Sequence, residues 1–304
     1  TRGFGHPRQH AVDLCRPECV TIGLSDNYRD SLEGAMTIMD TTKKFSQIDI
    51  RVHVHGNALI EKVLSLINED VEIKTLWRIS NVNAIDRLGM TDHGPVHYQI
   101  VANIATRLTR ILIKHGVQMS IVRDYELTNQ HAELVVLLAS VFHDLGMSIN
   151  REGHESISLF LANGILHRLL DFLPLDERTI VISETLHAII AHRSGGKPYT
   201  IEAGIVRVAD ALDMGEGRSR IPYQAGRIDI HSVSAAAVDK VEIVDGTKKP
   251  IQINVSMTNM AGIFQVDELL KQKLLGSGIE KYVIIATYLD QGEEHKLVKE
   301  FEIV

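Results

Sequence analysis

The chain has 304 residues, of which 44% are hydrophobic and 23% charged, and its formal net charge is −7. This length and composition are typical of a soluble globular protein with one domain and sizeable flanking elements, or with two domains. The acidic balance argues against binding to extended nucleic acid, and without an apolar run of about 20 residues no membrane span or membrane partner is expected.

The first predicted elements lie in the N-terminal quarter. Residues 28–44 have helical spacing, and apolar residues then occupy every second position from Ile48 to Val54, which predicts a β-strand. Residues 57–68 return to helical spacing. We therefore predict a small α/β element over residues 1–71.

The middle of the chain, residues 72–225, predicts helices and no strand. The segment Ala132 to Leu145 is apolar on nearly all sides, so it predicts a buried central helix, and Gly146 is expected to end it. The five predicted helices span residues 97–115, 132–145, 154–170, 176–192 and 201–214. In the first of them, the apolar face has steps of four and three and contains His97, Val101, Ile104, Leu108 and Ile111.

The C-terminal part, residues 226–304, again predicts a small α/β domain. Apolar and polar residues alternate from Ile251 to Met257, which predicts a strand. A helix over residues 266–275 and two further strands over residues 283–289 and 299–304 complete this prediction.

Only two cysteines occur, Cys15 and Cys19. A structural zinc site needs about four Cys or His ligands in tighter groups. Two incidental thiols of a reducing compartment are the simpler interpretation, and no apolar leader segment precedes them. We therefore predict a cytoplasmic protein.

The pair His143-Asp144, near the end of the most apolar predicted helix, is the most informative feature of the sequence. Burying an ionised carboxylate costs on the order of several kcal/mol unless the carboxylate is paired with a cation or bound to a metal. Two structural alternatives are open: the helix end exposes the pair, or Asp144 caps a neighbouring helix.

His97 and Asp210 also lie within apolar helical segments. Taken alone, His97 could be a satisfied core histidine, and Asp210 could be bonded to the backbone or to an arginine. Four such placements together favour a metal site, because two imidazoles and two carboxylates suit a divalent ion such as Mn, Fe, Mg or Zn.

The order of these residues resembles the HD superfamily of metal-dependent phosphohydrolases, over roughly residues 90–215. A histidine that opens a helix comes first, then the His-Asp pair, then an aspartate in the run Ala209-Asp210-Ala211-Leu212-Asp213. The resemblance implies a mainly α protein with an all-helical HD-type domain in the centre. It also implies one or two divalent metal ions, with His97, His143, Asp144 and Asp210 as ligands and Asp144 and His143 as catalytic residues.

His154 and His192 fit a version of the site that binds two ions, because histidines at these places complete the second ion in the two-metal branches of the family. The structural alternatives are a helix-end histidine favoured by the helix dipole and an exposed histidine near a helix start. His187, on the same predicted helix as His192, is the weaker candidate.

The segment from Ala191 to Tyr199 invites comparison with the HD-GYP branch of the family. This chain has a single histidine, His192, where that branch has a pair, and it reads Gly-Gly-Lys-Pro-Tyr instead of Gly-Tyr-Pro. Both departures argue against cleavage of a cyclic dinucleotide.

A reacting phosphoryl group also needs positive charge. Four cations lie close in sequence to proposed ligands and are candidates for binding the phosphoryl group: Arg193 and Lys197 follow His192, and Arg218 and Arg220 follow the helix of Asp210. The alternative for each of the four is a solvated charge on a loop.

The sequence therefore predicts a phosphohydrolase that acts on a phosphomonoester or phosphodiester, with a nucleotide or similar small phosphorylated molecule as substrate. The alternative is a ligand-sensing HD protein with little turnover, but such a protein is expected to have lost one of the four ligands, and none is missing. A purely structural helical module leaves the buried imidazoles and acids unexplained. A homodimer is compatible with the sequence, although no heptad pattern supports it.

Overall fold

The computed structural model describes residues 20–21, 49–193, 195–214, 230–291 and 294–302. The predicted helix over residues 28–44 lies outside this part, as do both cysteines, Arg218 and Arg220.

The segment 49–54 is extended but forms no β-strand, so the predicted strand is wrong there. Its alternation is real, since Ile50 and Val52 are buried against the helices. The backbone pairs with side chains instead of a neighbouring strand: the N–H of Ile50 donates to Asn68 Oδ1 at 2.8 Å, and the amide of Asn68 returns a bond to the Ile50 carbonyl. Alternation of apolar and polar residues indicates an extended segment with one buried face. It does not show which groups form hydrogen bonds with the backbone of that segment.

Helices make up most of residues 58–212 and confirm the predicted helical centre. The helix Asn129–Phe142, labelled α5, is buried along most of its surface, as its composition predicted. Near its end, the Val141 carbonyl accepts a hydrogen bond from the indole of Trp77 at 3.1 Å. These helices are α1 (Ala58–Glu69), α2 (Val71–Asn81), α3 (Pro95–Lys114), α4 (Ser120–Tyr125), α5 (Asn129–Phe142), α6 (His154–Leu169), α7 (Leu175–Ala191) and α8 (Ile201–Leu212).

The end of α5 differs from the prediction, because the helix stops at Phe142 and not at Leu145. A 3-10 turn, Leu145–Ser148, follows and packs against the start of α6. The N–H of Gly146 donates to Ser158 Oγ at 2.8 Å, and a Cβ on Gly146 would lie 2.0 Å from the His154 carbonyl oxygen. The glycine therefore permits a close approach of this turn to α6 instead of capping a longer helix.

The C-terminal part contains a mixed sheet. The elements of the sheet and its helices are β1 (Val20–Thr21), α9 (Ile230–Ala236), β2 (Val238–Asp245), β3 (Ile251–Met257), α10 (Lys271–Leu274), β4 (Val283–Gln291) and β5 (Glu294–Glu302). The sheet follows the order β1 to β5, with β3 and β4 parallel and the other pairs antiparallel. The strands β3 and β4 confirm two predicted strands, whereas β2 was not predicted and β5 begins earlier than expected.

The parallel pair β3 and β4 is joined by a helical crossover, in place of the single helix predicted over residues 266–275. It begins with a 3-10 turn, Met260–Gly262, passes through a π-helical turn, Gln265–Leu270, and continues into α10. Parallel strands require such a crossover, and this one places α10 against α8 of the helical centre.

The sheet and the helices share one continuous hydrophobic core, which includes Ile243 and Ile285 of the sheet. The guanidinium of Arg107, on α3, donates to the Ile243 carbonyl at 3.3 Å. The mainly α fold class with sheet-bearing flanks is thus confirmed in the described part of the chain, while the boundaries near residues 71 and 225 stay predictions. None of the described helices is long and apolar enough to cross a membrane.

Candidate metal centre

Five segments bring the six residues predicted as ligands into one cluster. The first turn of α3 provides one histidine, the turn after α5 provides the His-Asp pair, and α6 provides its first residue. The residue after α7 and the third turn of α8 provide the rest. In chain order the six are His97, His143, Asp144, His154, His192 and Asp210.

Three of these side chains form the first group. His97 Nε2 lies 3.1 Å from His143 Nε2 and 3.4 Å from Asp210 Oδ1. His143 Nε2 lies 3.8 Å from the same oxygen of Asp210. Ligand atoms that each bind one ion at about 2.1 Å are roughly 3.0–3.5 Å apart, so the three side chains could hold a divalent ion with small adjustments.

Asp144 lies between this first group and a second one. Its Oδ2 faces the first group, 3.3 Å from His143 Nε2 and 3.7 Å from His97 Nε2. Its Oδ1 faces two other imidazoles, 3.0 Å from His154 Nε2 and 3.6 Å from His192 Nε2. One carboxylate therefore presents a different oxygen to each group.

All four histidines present Nε2 to the cluster and bond through Nδ1 to the surrounding protein. Nδ1 of His143 lies 2.9 Å from the Ser140 carbonyl oxygen, and Nδ1 of His192 lies 2.6 Å from that of Ile189. A carbonyl oxygen can only accept, so each Nδ1 carries a proton, and Nε2 is the nitrogen that faces the cluster. This arrangement is common for histidines that bind metals. The other two bonds join His154 Nδ1 to the Arg151 carbonyl at 2.9 Å and His97 Nδ1 to Asp213 Oδ2 at 2.6 Å.

Asp213 was not predicted as a site residue. It follows Asp210 by three positions, at the end of α8, so both carboxylates lie on the same side of that helix. The i, i+3 spacing of two aspartates in an apolar segment was the signal that could have identified it. Its bond to His97 orients the imidazole and adds negative charge behind it.

His93 is a second residue that was not predicted. It is 7% exposed, and its ring centroid lies 6.0 Å from that of His97. Its Nδ1 bonds to the Thr91 carbonyl oxygen at 2.8 Å, and its backbone N–H donates to Asn81 Oδ1. The sequence carried a signal for it, because it precedes Gly94-Pro95 at the start of the helix that carries His97.

The carboxylates of the cluster remain ionised. Burial alone would raise the pKa of Asp144, but the neighbouring His143 and His154 outweigh that effect and hold the pKa well below its usual value. Burial also opposes ionisation of Asp210, and the Lys273 ammonium with His97 lowers its pKa well below the usual range. Two ionised carboxylates are suitable ligands for a cation.

His192 remains neutral near neutral pH. Burial, the adjacent His143 and the Lys273 ammonium lower the pKa of His192 to about 3. Burial acts in the same direction on His154, but its hydrogen bond and charge interaction with Asp144 outweigh it and raise the pKa. A neutral imidazole is the form that binds a metal.

Lys273, on α10, was not predicted at the site, yet its ammonium pairs with Asp210 Oδ2.

The structure places none of the four predicted phosphate-binding cations in the cluster within the described residues. Arg193 and Lys197 are exposed, and no ion pair joins either of them to the cluster within the described residues. Arg218 and Arg220 lie outside those residues, so a phosphate-binding role for the four stays a prediction.

His187, the weaker candidate, contacts the loop after α7. Its ring stacks on Tyr199 at 4.8 Å between centroids, and its Nε2 accepts from the Tyr199 N–H at 2.9 Å. Burial lowers the pKa of His187, which suits this accepting role. These contacts anchor the loop that follows His192.

A helical centre with four Nε2 atoms and two carboxylates on facing segments is typical of helical proteins whose side chains could hold a divalent metal ion. A model of the HD domain family matches residues 96–215. A relative from Methanocaldococcus jannaschii, described as the uncharacterized protein MJ1020, is 43% identical over 215 residues, which cover 70% of this chain and 83% of the relative. No solved structure matches the chain at a significant level.

The chain therefore belongs to the HD superfamily of metal-dependent phosphohydrolases, whose members bind divalent metal ions.

Proposed function

We propose that this protein hydrolyses a phosphomonoester or phosphodiester bond in a small molecule such as a nucleotide, with two divalent ions drawn from Mn, Fe, Mg and Zn. The observation that supports it most is the carboxylate of Asp144, whose Oδ2 lies near His143 and His97 and whose Oδ1 lies near His154 and His192. His97, His143 and Asp210 would hold one ion, and His154 and His192 the other, with Asp144 between them.

The donor atoms fit such ions. Four imidazole Nε2 atoms and two ionised carboxylates are ligands for divalent ions of intermediate or hard character. When bound, such ions supply Lewis acidity, which polarises a phosphoryl group and makes hydroxide available near neutral pH. The protein residues contribute the fixed orientation of these ligands, because every imidazole is bonded through Nδ1 to a group behind it.

Two features favour a small substrate. The formal charge of −7 does not suit the phosphate backbone of long DNA or RNA. The ligand side chains are also mostly buried: His143 is 0% and His192 4% exposed, so that a bulky duplex would not reach them easily.

The intact set of four ligands predicted from the sequence favours an enzyme that turns over its substrate, because a protein that only senses a ligand is expected to have lost one of them.

Phosphate release from nucleotides, cyclic nucleotides and cyclic dinucleotides, with Mn added, tests this proposal. We expect hydrolysis of at least one nucleotide class by the wild type. In Asp144→Ala we expect loss of both turnover and metal binding with nearly unchanged helix content by circular dichroism. Asp239→Ala, at an exposed position on β2, is the control and should behave as wild type. Undiminished turnover in Asp144→Ala would remove the assignment of the site.

The number of ions is tested separately. His154→Ala and His192→Ala should each lose one of two Mn equivalents per chain, because these imidazoles lie near Oδ1 of Asp144, the oxygen proposed for the second ion. Elemental analysis after gel filtration measures this stoichiometry. Unchanged stoichiometry in both variants would favour a single ion held by the first group.

A further inference from the structure

The C-terminal part of the chain contributes a cation to the candidate metal centre. The ammonium of Lys273 pairs with Asp210 Oδ2, while Oδ1 of the same carboxylate faces His97 and His143. The side chains of Lys273 and Asp210 are 19% and 13% exposed, whereas both imidazoles are 0% exposed. The ion pair therefore lies on the more accessible side of the cluster, from which a substrate can approach.

The backbone that carries Lys273 is fixed to the helical centre. The guanidinium of Arg207, on α8, donates to the Lys273 carbonyl at 2.8 Å and to the Gln272 carbonyl at 3.3 Å. It also bonds to the Gly196 carbonyl, in the loop that follows His192. One buried arginine thus joins the segment of Lys273 to two segments that carry proposed ligands.

A second contact holds the same region. Gly204, on α8, lies so close to the chain after α10 that a Cβ at this position would be 2.0 Å from the Ser277 carbonyl oxygen. Such close backbone packing leaves little freedom for the base of the Lys273 side chain. The flexible end of a lysine, by contrast, carries three rotatable donors and can bond to a carboxylate and to a phosphate oxygen at once.

We propose that Lys273 is a phosphate-binding residue of the metal centre, supplied by the C-terminal part and held ready by its ion pair with Asp210. The inference rests on the proposed function, because a phosphoryl substrate must bring its oxyanions beside the ions. A phosphoryl group needs positive charge at that place, and the ammonium of Lys273 forms an ion pair with a proposed carboxylate ligand, Asp210. It lies outside residues 96–215, which match the family.

Binding of inorganic phosphate to the Mn-loaded protein, measured by calorimetry, tests this proposal. Lys273→Met removes the charge and keeps much of the length of the side chain. We expect it to weaken phosphate binding about tenfold to a hundredfold, as for loss of a hydrogen bond to a charged group. The number of bound Mn equivalents should not change, and Lys273→Arg should keep most of the affinity.

Lys271→Met is the matched control, since it lies on the same short helix but two residues away, where the side chain points in a different direction. It should bind phosphate as the wild type does. Lys273→Gln serves as a second neutral variant if Lys273→Met does not fold.

Wild-type phosphate affinity in either folded neutral variant would overturn the proposal, and so would the absence of phosphate binding by Mn-loaded wild type. A loss of Mn from the neutral variants would also overturn it, because the lysine would then serve only to place Asp210. If phosphate binding depends on Lys273 but the wild type hydrolyses nothing, only the proposed function fails. Hydrolysis with an unchanged KM in Lys273→Met would remove only this inference.

Discussion

A histidine that binds a metal must present a lone pair from one fixed nitrogen. In this protein the opposite nitrogen of each imidazole is bonded to a backbone carbonyl or, for His97, to a carboxylate. The Asp213 carboxylate differs from the carbonyls because it also carries a negative charge, which makes the His97 ring more basic as a ligand. His97 should therefore be the most strongly supported of the four imidazoles.

Replacement of Asp213 tests this support at the scale of a single residue. Asp213→Ala should reduce Mn affinity about 10–100-fold, as is typical when a group behind a metal ligand is lost. Asp213→Asn should recover part of the affinity, because its amide oxygen can still accept from His97 Nδ1. Calorimetric titration of the metal-free protein measures both. Equal affinities for Asp213→Ala and the wild type would show that the bond does not act on the ion.

The six residues predicted from the sequence could be found because each places an imidazole or a carboxylate within or beside an apolar helix. The structure brings all six together. Lys273 could not be found this way, because a lysine on a short amphipathic helix has no unusual sequence context. Its position depends on the crossover between β3 and β4, which only the folded chain places against α8.

At the scale of elements, the turn after α5 determines where the second imidazole group lies. The 3-10 turn Leu145–Ser148 packs so closely on the first turn of α6 that only a glycine fits at position 146. The same contact holds His154 beside Asp144, at 3.0 Å from Nε2 to Oδ1. A displacement of α6 relative to this turn should therefore lower the unfolding free energy and weaken binding of the second ion.

Gly146→Ala is the corresponding test. The added methyl would meet the His154 carbonyl oxygen, so the backbone must shift, and we expect a loss of about 1–3 kcal/mol in unfolding free energy. We also expect weaker binding of one Mn equivalent. Chemical denaturation and Mn stoichiometry measure the two effects.

Gly164→Ala, inside α6, is the matched control. A Cβ at Gly164 meets nothing within 4 Å, so an alanine should stabilise the helix by about 0.5–1 kcal/mol. A Gly146→Ala variant as stable as the wild type would show that the turn and α6 can separate without cost.

Helix existence was predictable at this scale, but element ends and pairing partners were not. The periodicity of residues 132–145 is equally compatible with a helix through Leu145 and with one that ends at Phe142, since packing against α6 decides between them. The alternation of residues 49–54 predicted burial correctly, but side chains such as Asn68 took the place of a neighbouring strand.

At the scale of the whole molecule, the mainly α centre followed from helical patterns, and the strand β3 followed from alternation. The strand β2 was missed because its apolar residues are interrupted by Asp239, Lys240 and Glu242, and its pairing with β3 comes from distant sequence. Local sequence patterns also do not predict contacts between the sheet and the helices, such as the hydrogen bond from Arg107 to the Ile243 carbonyl.

One buried acid outside the metal centre should make the unfolding free energy of the whole protein depend on pH. Glu184, on α7, is 8% exposed, and its Oε2 has no hydrogen-bond partner among the described residues. Burial, and then the nearby charge of Glu202, raise the pKa of Glu184 above its usual 4.5. The folded protein therefore holds this proton more tightly than the unfolded chain, so the unfolding free energy falls as pH rises above 4.5 through the raised pKa.

Glu184→Gln keeps the shape of the side chain and removes this ionisation. The variant should gain stability relative to the wild type as pH rises, with little difference at pH 4.5 and a clear advantage at pH 7.5. Urea denaturation of the metal-free protein at both pH values measures the difference. Glu152→Gln, at an exposed position before α6, should match the wild type at both. An advantage of Glu184→Gln that stays the same at both pH values would mean that packing, and not the buried charge, is responsible.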